Sequence, residues 1–131
     1  MENAFNFMTL FLVASGGACG ALARYCCGVV ALELLGPSFP YGTLFVNALG
    51  SAFMGGIGTF FLHKHTLAHP VALFLMVGFF GSFTTYSSFT LDTLNLFLSS
   101  QTHLALLNIL LNVVLCISFV TIGMFVTNYF L

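Results

Sequence analysis

The chain has 131 residues, of which 60% are hydrophobic and only 4% are charged. Soluble domains carry about 25% charged residues, so this composition excludes a soluble protein and indicates an integral membrane protein. The formal net charge is −1, which offers no basic surface for nucleic acid. Since a spanning helix needs about 20 residues, we expect an all-α, multi-pass protein with about four spans. These spans would form a single transmembrane domain over residues 1–131 in the lipid bilayer.

The first predicted helix covers residues 5–35 and contains a glycine pair and one arginine. Gly16 and Gly20 have the small-xxx-small spacing that lets two helices approach closely. Arg24 follows Gly20 by one turn. An arginine at that depth either extends to the lipid headgroups or pairs inside the helix bundle. The sequence leaves both interpretations of Arg24 open.

The second predicted helix, residues 41–62, follows a glycine- and proline-rich turn and contains no charged residue. Asn47 shares a face with Gly50 and Ser51 at helical spacing. Burial of an amide in hydrocarbon is unfavourable unless the amide is hydrogen-bonded. Asn47 therefore either joins two helices through hydrogen bonds or donates to a permeating anion, and both remain open.

Histidines are concentrated in the polar loop after the second helix, where His63, His65 and His69 lie close to Lys64. A histidine-rich tract can bind a metal, but no cysteine or carboxylate lies near this one in the sequence. We therefore expect solvated loop histidines.

The third predicted helix, residues 71–98, contains a run of glycines, hydroxyls and aromatic residues from Gly78 to Phe89. Irregular backbone at membrane depth is tolerated only where protein or a water-filled cavity covers it. The run therefore predicts a break in mid-membrane and an ion or substrate site. Broken helices offer N–H groups to anions and carbonyls to cations, so the ion is left open. The alternative is a continuous helix, in which each hydroxyl would donate a hydrogen bond to a backbone carbonyl one turn earlier.

The fourth predicted helix, residues 103–131, is apolar apart from a few amides and hydroxyls. Asn108 and Asn112 are four residues apart and therefore share a face of this helix.

Orientation in the membrane is weakly specified by charge. Lys and Arg near helix ends set orientation, and the chain has only 2 of them, Arg24 and Lys64. With about four spans they fall toward opposite sides, so insertion both ways round is predicted. A chain this short rarely encloses a pathway alone, and we expect an oligomer.

Three motifs follow one another along the first three segments. They are Gly16-Gly17-x-x-Gly20-Ala21-x-x-Arg24-Tyr25, Pro40-x-Gly42-Thr43-Leu44-x-Val46-Asn47-x-x-Gly50-x-x-x-x-Gly55 and Gly78-x-x-Gly81-Ser82-x-Thr84-Thr85-Tyr86-Ser87-Ser88-Phe89. Together they resemble the Fluc (CrcB) fluoride channel family. The resemblance implies a fluoride-selective channel that gives passive F⁻ export across the bacterial inner membrane. It also implies an antiparallel, dual-topology homodimer with paired pores and a central structural sodium ion.

The resemblance also implies roles for individual residues. The fluoride pore would be lined by Asn47, Tyr86, Phe89, Ser87, Ser88, Thr43, Asn108 and Asn112. Backbone carbonyls of Gly81 and Thr84 would hold the sodium ion, and Arg24 matches the family's first-segment arginine. The family's pore phenylalanines face the anion with ring edges that carry partial positive charge, and the asparagine amide is a donor.

The chain departs from the family pattern at several positions. Tyr86 stands where the family usually has the first pore phenylalanine, Ser88 replaces a threonine, and Ser82 replaces a glycine. The Tyr86 hydroxyl is itself a donor, which differs from contact through a ring edge. Asn108 and Asn112 align with a tyrosine and a serine of the family, so two amides would replace two hydroxyls along the pore.

Other classes of protein account for less of the sequence. A small dual-topology multidrug or cation transporter needs a carboxylate deep in its first helix, whereas Glu2 and Glu33 lie at the ends of that segment. A structural subunit would explain the glycines and asparagines as packing residues and would leave the break unexplained. We do not expect an enzyme, because no base, nucleophile and orienting group would come together.

Overall fold

The computed structural model describes residues 6–131, which form helices and, within this range, no strand. Phe5, the predicted start of the first helix, lies outside the described residues, and so does Glu2. The main helices are α1 (Phe7–Leu35), α2 (Tyr41–His63), α3 (Pro70–Leu98) and α4 (Thr102–Phe130). All 4 are long and apolar enough to cross a membrane. The predicted all-α, multi-pass membrane fold is confirmed.

The ends of α1 follow from local chemistry. The side chain of Asn6 accepts a hydrogen bond from the backbone N–H of Thr9 at 2.7 Å, which satisfies a donor that the first turn leaves free. Gly36 ends the helix with φ of 77°, in the left-handed region that glycine adopts without steric strain.

The backbone of α3 is not uniform along its length. A single α-helical turn, Pro70–Ala72, leads into a π-helix over Leu73–Phe80, and a second short α-helical turn covers Gly81–Phe83. Thr84 and Thr85 are extended, with ψ of 156° and 113°, before a regular α-helix resumes at Tyr86–Leu98. The extended pair lies inside the run of glycines and hydroxyls. The π-helix has no counterpart in the sequence prediction.

Close backbone contact joins α1 to the π-helical part of α3. A Cβ atom on Gly20 would overlap the carbonyl of Phe79, and one on Gly16 would overlap the carbonyl of Phe74. From the other side, a Cβ on Gly78 would lie 3.0 Å from the Cα of Gly16. The glycine spacing predicted a close helix contact, and the structure identifies α3 as the partner helix.

A second close contact joins α2 to α4 and is reciprocal. A Cβ on Gly55 would overlap the carbonyl of Val120, and a Cβ on Gly123 would overlap the carbonyl of Ala52. Small residues at such a crossing allow the two backbones to approach closely. This contact fixes the distance between the helices that carry the buried asparagines.

The buried core is small, and the outer faces of the helices are apolar. Val46, Phe80 and Phe83 form a buried cluster between α2 and α3. In the most apolar 18-residue stretch of α1, and in that of α4, only 6% of the residues are buried. Because these faces carry large hydrophobic side chains, they require lipid or a second copy of the chain to cover them.

Candidate functional site

The site begins with Asn47 of α2, whose side-chain amide pairs with the backbone of Thr85. The N–H of Thr85 donates to Oδ1 of Asn47 at 2.7 Å, and Nδ2 of Asn47 donates to the Thr85 carbonyl at 3.1 Å. Both residues are buried. The Asn47 amide thus makes the two hydrogen bonds that a backbone peptide group could otherwise make with Thr85, and it supports the extended conformation of Thr85.

The same contacts release two carbonyls of α3 from helical hydrogen bonding. In a continuous helix the N–H of Thr85 would donate to the carbonyl of Gly81, and the N–H of Ser88 to that of Thr84. Here the N–H of Thr85 donates to Asn47, and the N–H of Ser88 donates to Oγ1 of Thr85 at 3.1 Å. The carbonyls of Gly81 and Thr84 therefore lose their helical donors.

Buried amides continue from Asn47 into α4 and back to α3. Asn47 donates to Oδ1 of Asn112 at 3.0 Å, and Nδ2 of Asn112 donates to the carbonyl and Oδ1 of Asn108 at 3.1 and 2.9 Å. Asn108 in turn donates to Oγ1 of Thr93 at 2.9 Å. We call the connected residues the amide series: Thr85, Asn47, Asn112, Asn108 and Thr93.

Hydroxyls gather at the start of the α-helical part of α3. Oγ1 of Thr85 caps this helix and lies 3.0 Å from Oγ of Ser88 and 3.2 Å from Oγ of Ser87. Thr84 and Thr90 instead donate to carbonyls on their own helix, as the continuous-helix alternative requires. The hydroxyl run therefore divides into a capping cluster and ordinary helix-bonded side chains.

An open groove of about 500 Å³ runs along α2, α3 and α4 beside this cluster. We call it the polar groove after its polar lining residues, Asn47, Ser51, Thr84, Thr85 and Asn112; Tyr86, Phe89, Cys116 and the aliphatic side chains of Met54, Val113, Ile117 and Val120 line the rest. Phe89 is buried, whereas Tyr86 is 77% exposed, and their ring centroids are 5.4 Å apart. The groove thus brings together the predicted asparagine and both predicted aromatic residues.

A second cavity, of about 460 Å³, lies on the other side of Thr85. Arg24, Thr43 and Ser88 line it, and Thr85 borders both this cavity and the polar groove. Nearby, Oγ1 of Thr43 donates to Oδ2 of Asp92 at 2.7 Å. The polar residues predicted for one site are therefore divided between the polar groove and the second cavity, and Thr85 borders both.

Two of the three histidines predicted for the loop make side-chain contacts, and one of them, His63, is the last residue of α2. Nε2 of His63 lies 2.8 Å from Oδ1 of Asn128, and Nδ1 of His69 accepts a hydrogen bond from the N–H of Val71 at 3.3 Å. In the part of the chain that the structure describes, no group of three or more His, Cys, Asp or Glu residues could hold a metal ion.

Thr85, Thr93 and Asp92 belong to the site, although sequence reasoning gave none of them a role there. Thr85 was one of several adjacent hydroxyl residues, and nothing in the sequence distinguished it from Thr84. Thr93 follows Phe89 by four residues, and its hydroxyl donates to the Phe89 carbonyl at 2.8 Å. That spacing places both residues on one helix face and is the signal that could have drawn attention to Thr93.

The fold and the site together define a small helical membrane protein with a groove lined by amides, hydroxyls, aromatic rings and aliphatic side chains. Residues 11–124 match the family described as CrcB-like protein, Camphor Resistance (CrcB). Because the match covers most of the sequence, the chain belongs to the CrcB family.

Curated relatives support this membership. The chain is 46% identical over 121 residues to the fluoride-specific ion channel FluC of Magnetococcus marinus, which covers 91% of this chain and 97% of the relative. It is 45% identical over 116 residues to FluC of Aeromonas salmonicida, with 88% and 93% covered. FluC of Methylococcus capsulatus is 43% identical over 116 residues, and there the chain spans about half, 51%, of the relative's length.

Proposed function

We propose that this protein is a fluoride-selective ion channel that gives passive F⁻ export, and that F⁻ passes along the polar groove. The observation that carries the proposal is the groove itself, in a chain that matches two FluC relatives over 93% and 97% of their length. The relatives are named as channels, and the proposed activity is passage of an ion without a chemical reaction. The protein is therefore no enzyme.

Fluoride is small and strongly hydrated, and transfer of such an ion into a low-dielectric medium costs tens of kcal/mol by Born estimates. Many weak donors must replace its water. The polar groove offers the hydroxyl of Tyr86, the ring of Phe89, whose edge carries partial positive charge, and the Asn47 amide, which would have to exchange one of its present hydrogen bonds for the ion. A pathway of weak sites lets the ion leave as readily as it enters.

The proposed pathway extends beyond the groove to Ser87, Ser88 and Thr43. Ser87 belongs to the hydroxyl cluster at Thr85, and Ser88 and Thr43 line the second cavity beside Arg24. Asn112 lines the groove, while Asn108 lies fully buried behind it. A continuous route requires the ion to pass Thr85, which borders both spaces.

The proposed channel is an antiparallel, dual-topology homodimer with paired pores. Tyr86 is 77% exposed in the single chain although it lines the groove, so a second copy is needed to enclose the pathway there. The apolar outer faces of the helices support the same assembly. In this assembly the extended pair Thr84–Thr85 interrupts the third span in mid-membrane.

A structural sodium ion fits the backbone at the extended pair. The carbonyls of Gly81 and Thr84 lose their helical donors, and unwound carbonyls are the groups that coordinate Na⁺ in broken membrane helices. These two carbonyls, with those of the second copy, would hold the ion at the dimer centre. Bound there, sodium would supply a fixed positive charge between the two copies.

The proposed location is the bacterial inner membrane. The alternative, a small multidrug or cation transporter, gains no support from the carboxylate of α1. Glu33 is exposed near the end of α1, and neither cavity beside Thr85 is lined by it.

The decisive experiment uses purified protein in liposomes loaded with potassium fluoride or potassium chloride. When valinomycin provides a path for K⁺, we expect rapid fluoride efflux and no chloride efflux above that of protein-free liposomes. Absence of fluoride efflux, or chloride efflux at the same rate, would contradict the proposal.

A further inference from the structure

The direction of every hydrogen bond in the amide series is set by the backbone of Thr85. A backbone N–H can only donate, so Asn47 must present Oδ1 to it, as it does at 2.7 Å. That orientation directs both hydrogens of Nδ2 elsewhere, to the Thr85 carbonyl and to Oδ1 of Asn112. Asn47 thus has one orientation in which all its groups are satisfied.

The constraint passes from Asn47 to the next two asparagines. Since Asn112 must accept from Asn47 through Oδ1, its Nδ2 faces the carbonyl and Oδ1 of Asn108. Asn108 therefore presents oxygen to Asn112 and nitrogen to Oγ1 of Thr93. The amide series has a single direction from end to end.

Burial makes this direction hard to change. Asn108 is 0% exposed and Asn112 is 5% exposed, so neither amide can turn to water. Among the described residues, no buried side-chain nitrogen or oxygen lacks a partner. A buried polar network that is fully satisfied is rigid, and loss of one member leaves others unpaired at low dielectric.

Both ends of the series lie in α3: Thr85 immediately precedes the regular helix Tyr86–Leu98, and Thr93 lies within it. The series attaches to α3 at Thr85, through Asn47, and at Thr93, through Asn108. Tyr86 and Phe89, the aromatic residues of the polar groove, lie between these two attachment points. The Thr93 hydroxyl also donates to the Phe89 carbonyl at 2.8 Å. The series therefore holds the groove-lining part of α3 against α2 and α4.

We propose that Asn108 and Asn112 are positioning residues, which orient the Asn47 amide and hold Thr85 and Phe89 in place along the groove. Asn108 acts without contact with the ion, because it is fully buried and does not line the groove. The expected effect of these residues on fluoride passage rests on the proposed function. The structural part of the proposal, the coupling of Asn108 to Thr85, is independent of that function.

The first test replaces Asn108 by leucine, which keeps a similar volume and removes the amide. In liposomes, Asn108→Leu is expected to lower the fluoride efflux rate roughly tenfold or more, because it removes two buried hydrogen bonds, one to Oγ1 of Thr93 and one from Nδ2 of Asn112. Asn128→Leu is the matched control, since Asn128 is exposed on the same helix and lies outside the series. Fluoride efflux by Asn108→Leu at the wild-type rate would overturn the proposed effect on passage.

Amide hydrogen exchange measured by NMR in detergent micelles separates positioning from a general structural role. Asn108→Leu should accelerate exchange at the Thr85 N–H, which donates to Asn47, and leave the amides of residues 94–98, beyond the series, unchanged. Uniform acceleration along α3, or unchanged exchange at Thr85, would overturn the coupling. If wild-type protein passes no fluoride, the proposed function fails, while this measurement still decides the coupling.

A second pair of variants tests the far end of the series and serves if Asn108→Leu does not fold. Thr93→Val removes the acceptor of Asn108 at nearly constant volume, whereas Thr93→Ser keeps it. We expect Thr93→Val to accelerate hydrogen exchange at the Thr85 N–H and to slow fluoride efflux. Thr93→Ser should keep both the exchange rate and the efflux rate at the wild-type values. Equal behaviour of the two variants would overturn the proposal.

Discussion

At the scale of single residues, the role of Asn47 depends on which of its groups are already used. Sequence reasoning left two interpretations, a link between helices and a donor to an anion. In the single chain both hydrogens of Nδ2 are donated, to the Thr85 carbonyl and to Asn112. The link between helices is therefore observed. Donation to fluoride would require one of these bonds to be exchanged for the ion, and it stays a prediction.

Replacement of Asn47 by aspartate tests this residue directly. A carboxylate cannot donate, so oxygen would face the Thr85 carbonyl at 3.1 Å and Oδ1 of Asn112 at 3.0 Å. Repulsion between the carboxylate and F⁻ is about 4 kcal/mol at about 4 Å and an effective dielectric constant of about 20. We expect fluoride efflux from liposomes to fall roughly a thousandfold.

The control for Asn47→Asp is Asn128→Asp, which makes the same change at an exposed site. There a carboxylate can still accept from the ring of His63, and fluoride efflux should stay at the wild-type rate. Wild-type efflux by correctly folded Asn47→Asp would remove Asn47 from the pathway.

At the scale of helices, the sequence predicts some features well and others not at all. Composition and apolar runs were sufficient for the 4 spans, and the spacing of Gly16 and Gly20 indicated a close helix contact. The partner of that contact, the π-helix at Leu73–Phe80 and the importance of Thr85 could not be predicted. These depend on which faces meet in three dimensions, whereas a sequence pattern specifies only which residues share a face.

The contact between α1 and α3 gives a prediction with a control on the same helix. A methyl group on Gly20 would meet the Phe79 backbone, whereas one on Gly28 would have nothing within 4 Å in the chain. Backbone cannot move aside as a flexible side chain can. Gly20→Ala should therefore lower the free energy of unfolding by about 1–3 kcal/mol, and Gly28→Ala should not.

Unfolding in mixed micelles of increasing SDS content would measure this difference. Fluoride efflux of the surviving Gly20→Ala protein would show whether the contact also supports the groove. Equal stability of the two variants would mean that α1 can shift on α3 without loss.

At the scale of the whole molecule, scarcity of charge is the main feature. Arg24 and Lys64 are the chain's 2 basic side chains, and they lie toward opposite ends of the helix bundle in a four-span topology. Little therefore favours one orientation over the other. An antiparallel pair needs this balance, because both orientations must be made from one sequence.

Added lysines should disturb the balance in a predictable direction. Thr66→Lys with Leu67→Lys places charge beside Lys64, and Ser38→Lys with Gln101→Lys places it in the connections at the other end; all four positions are exposed. Each double variant should insert in one orientation and give little fluoride efflux from cells. Co-expression of the two should restore efflux, because together they supply both orientations.

A reporter enzyme at the C-terminus, active on only one side of the membrane, would measure orientation in each case. Full efflux by one double variant alone, with a single orientation confirmed by the reporter, would contradict the antiparallel assembly.

The π-helix at Leu73–Phe80 constrains how the sequence can change in length. It contains residues of α3 that contact α1, and the groove-lining residues of α3 follow it, beginning at Thr84. In an α-helix each residue adds a rotation of about 100°, so loss or gain of one residue there would turn Tyr86 and Phe89 away from Asn47. Substitutions of the large side chains in this segment can be absorbed by repacking, whereas a side chain on Gly78 would meet the α1 backbone, and insertions and deletions would change the rotation itself. The length of the segment therefore determines how the surface proposed to carry the ion is rotated about the helix axis, relative to the contact that holds α1 against α3.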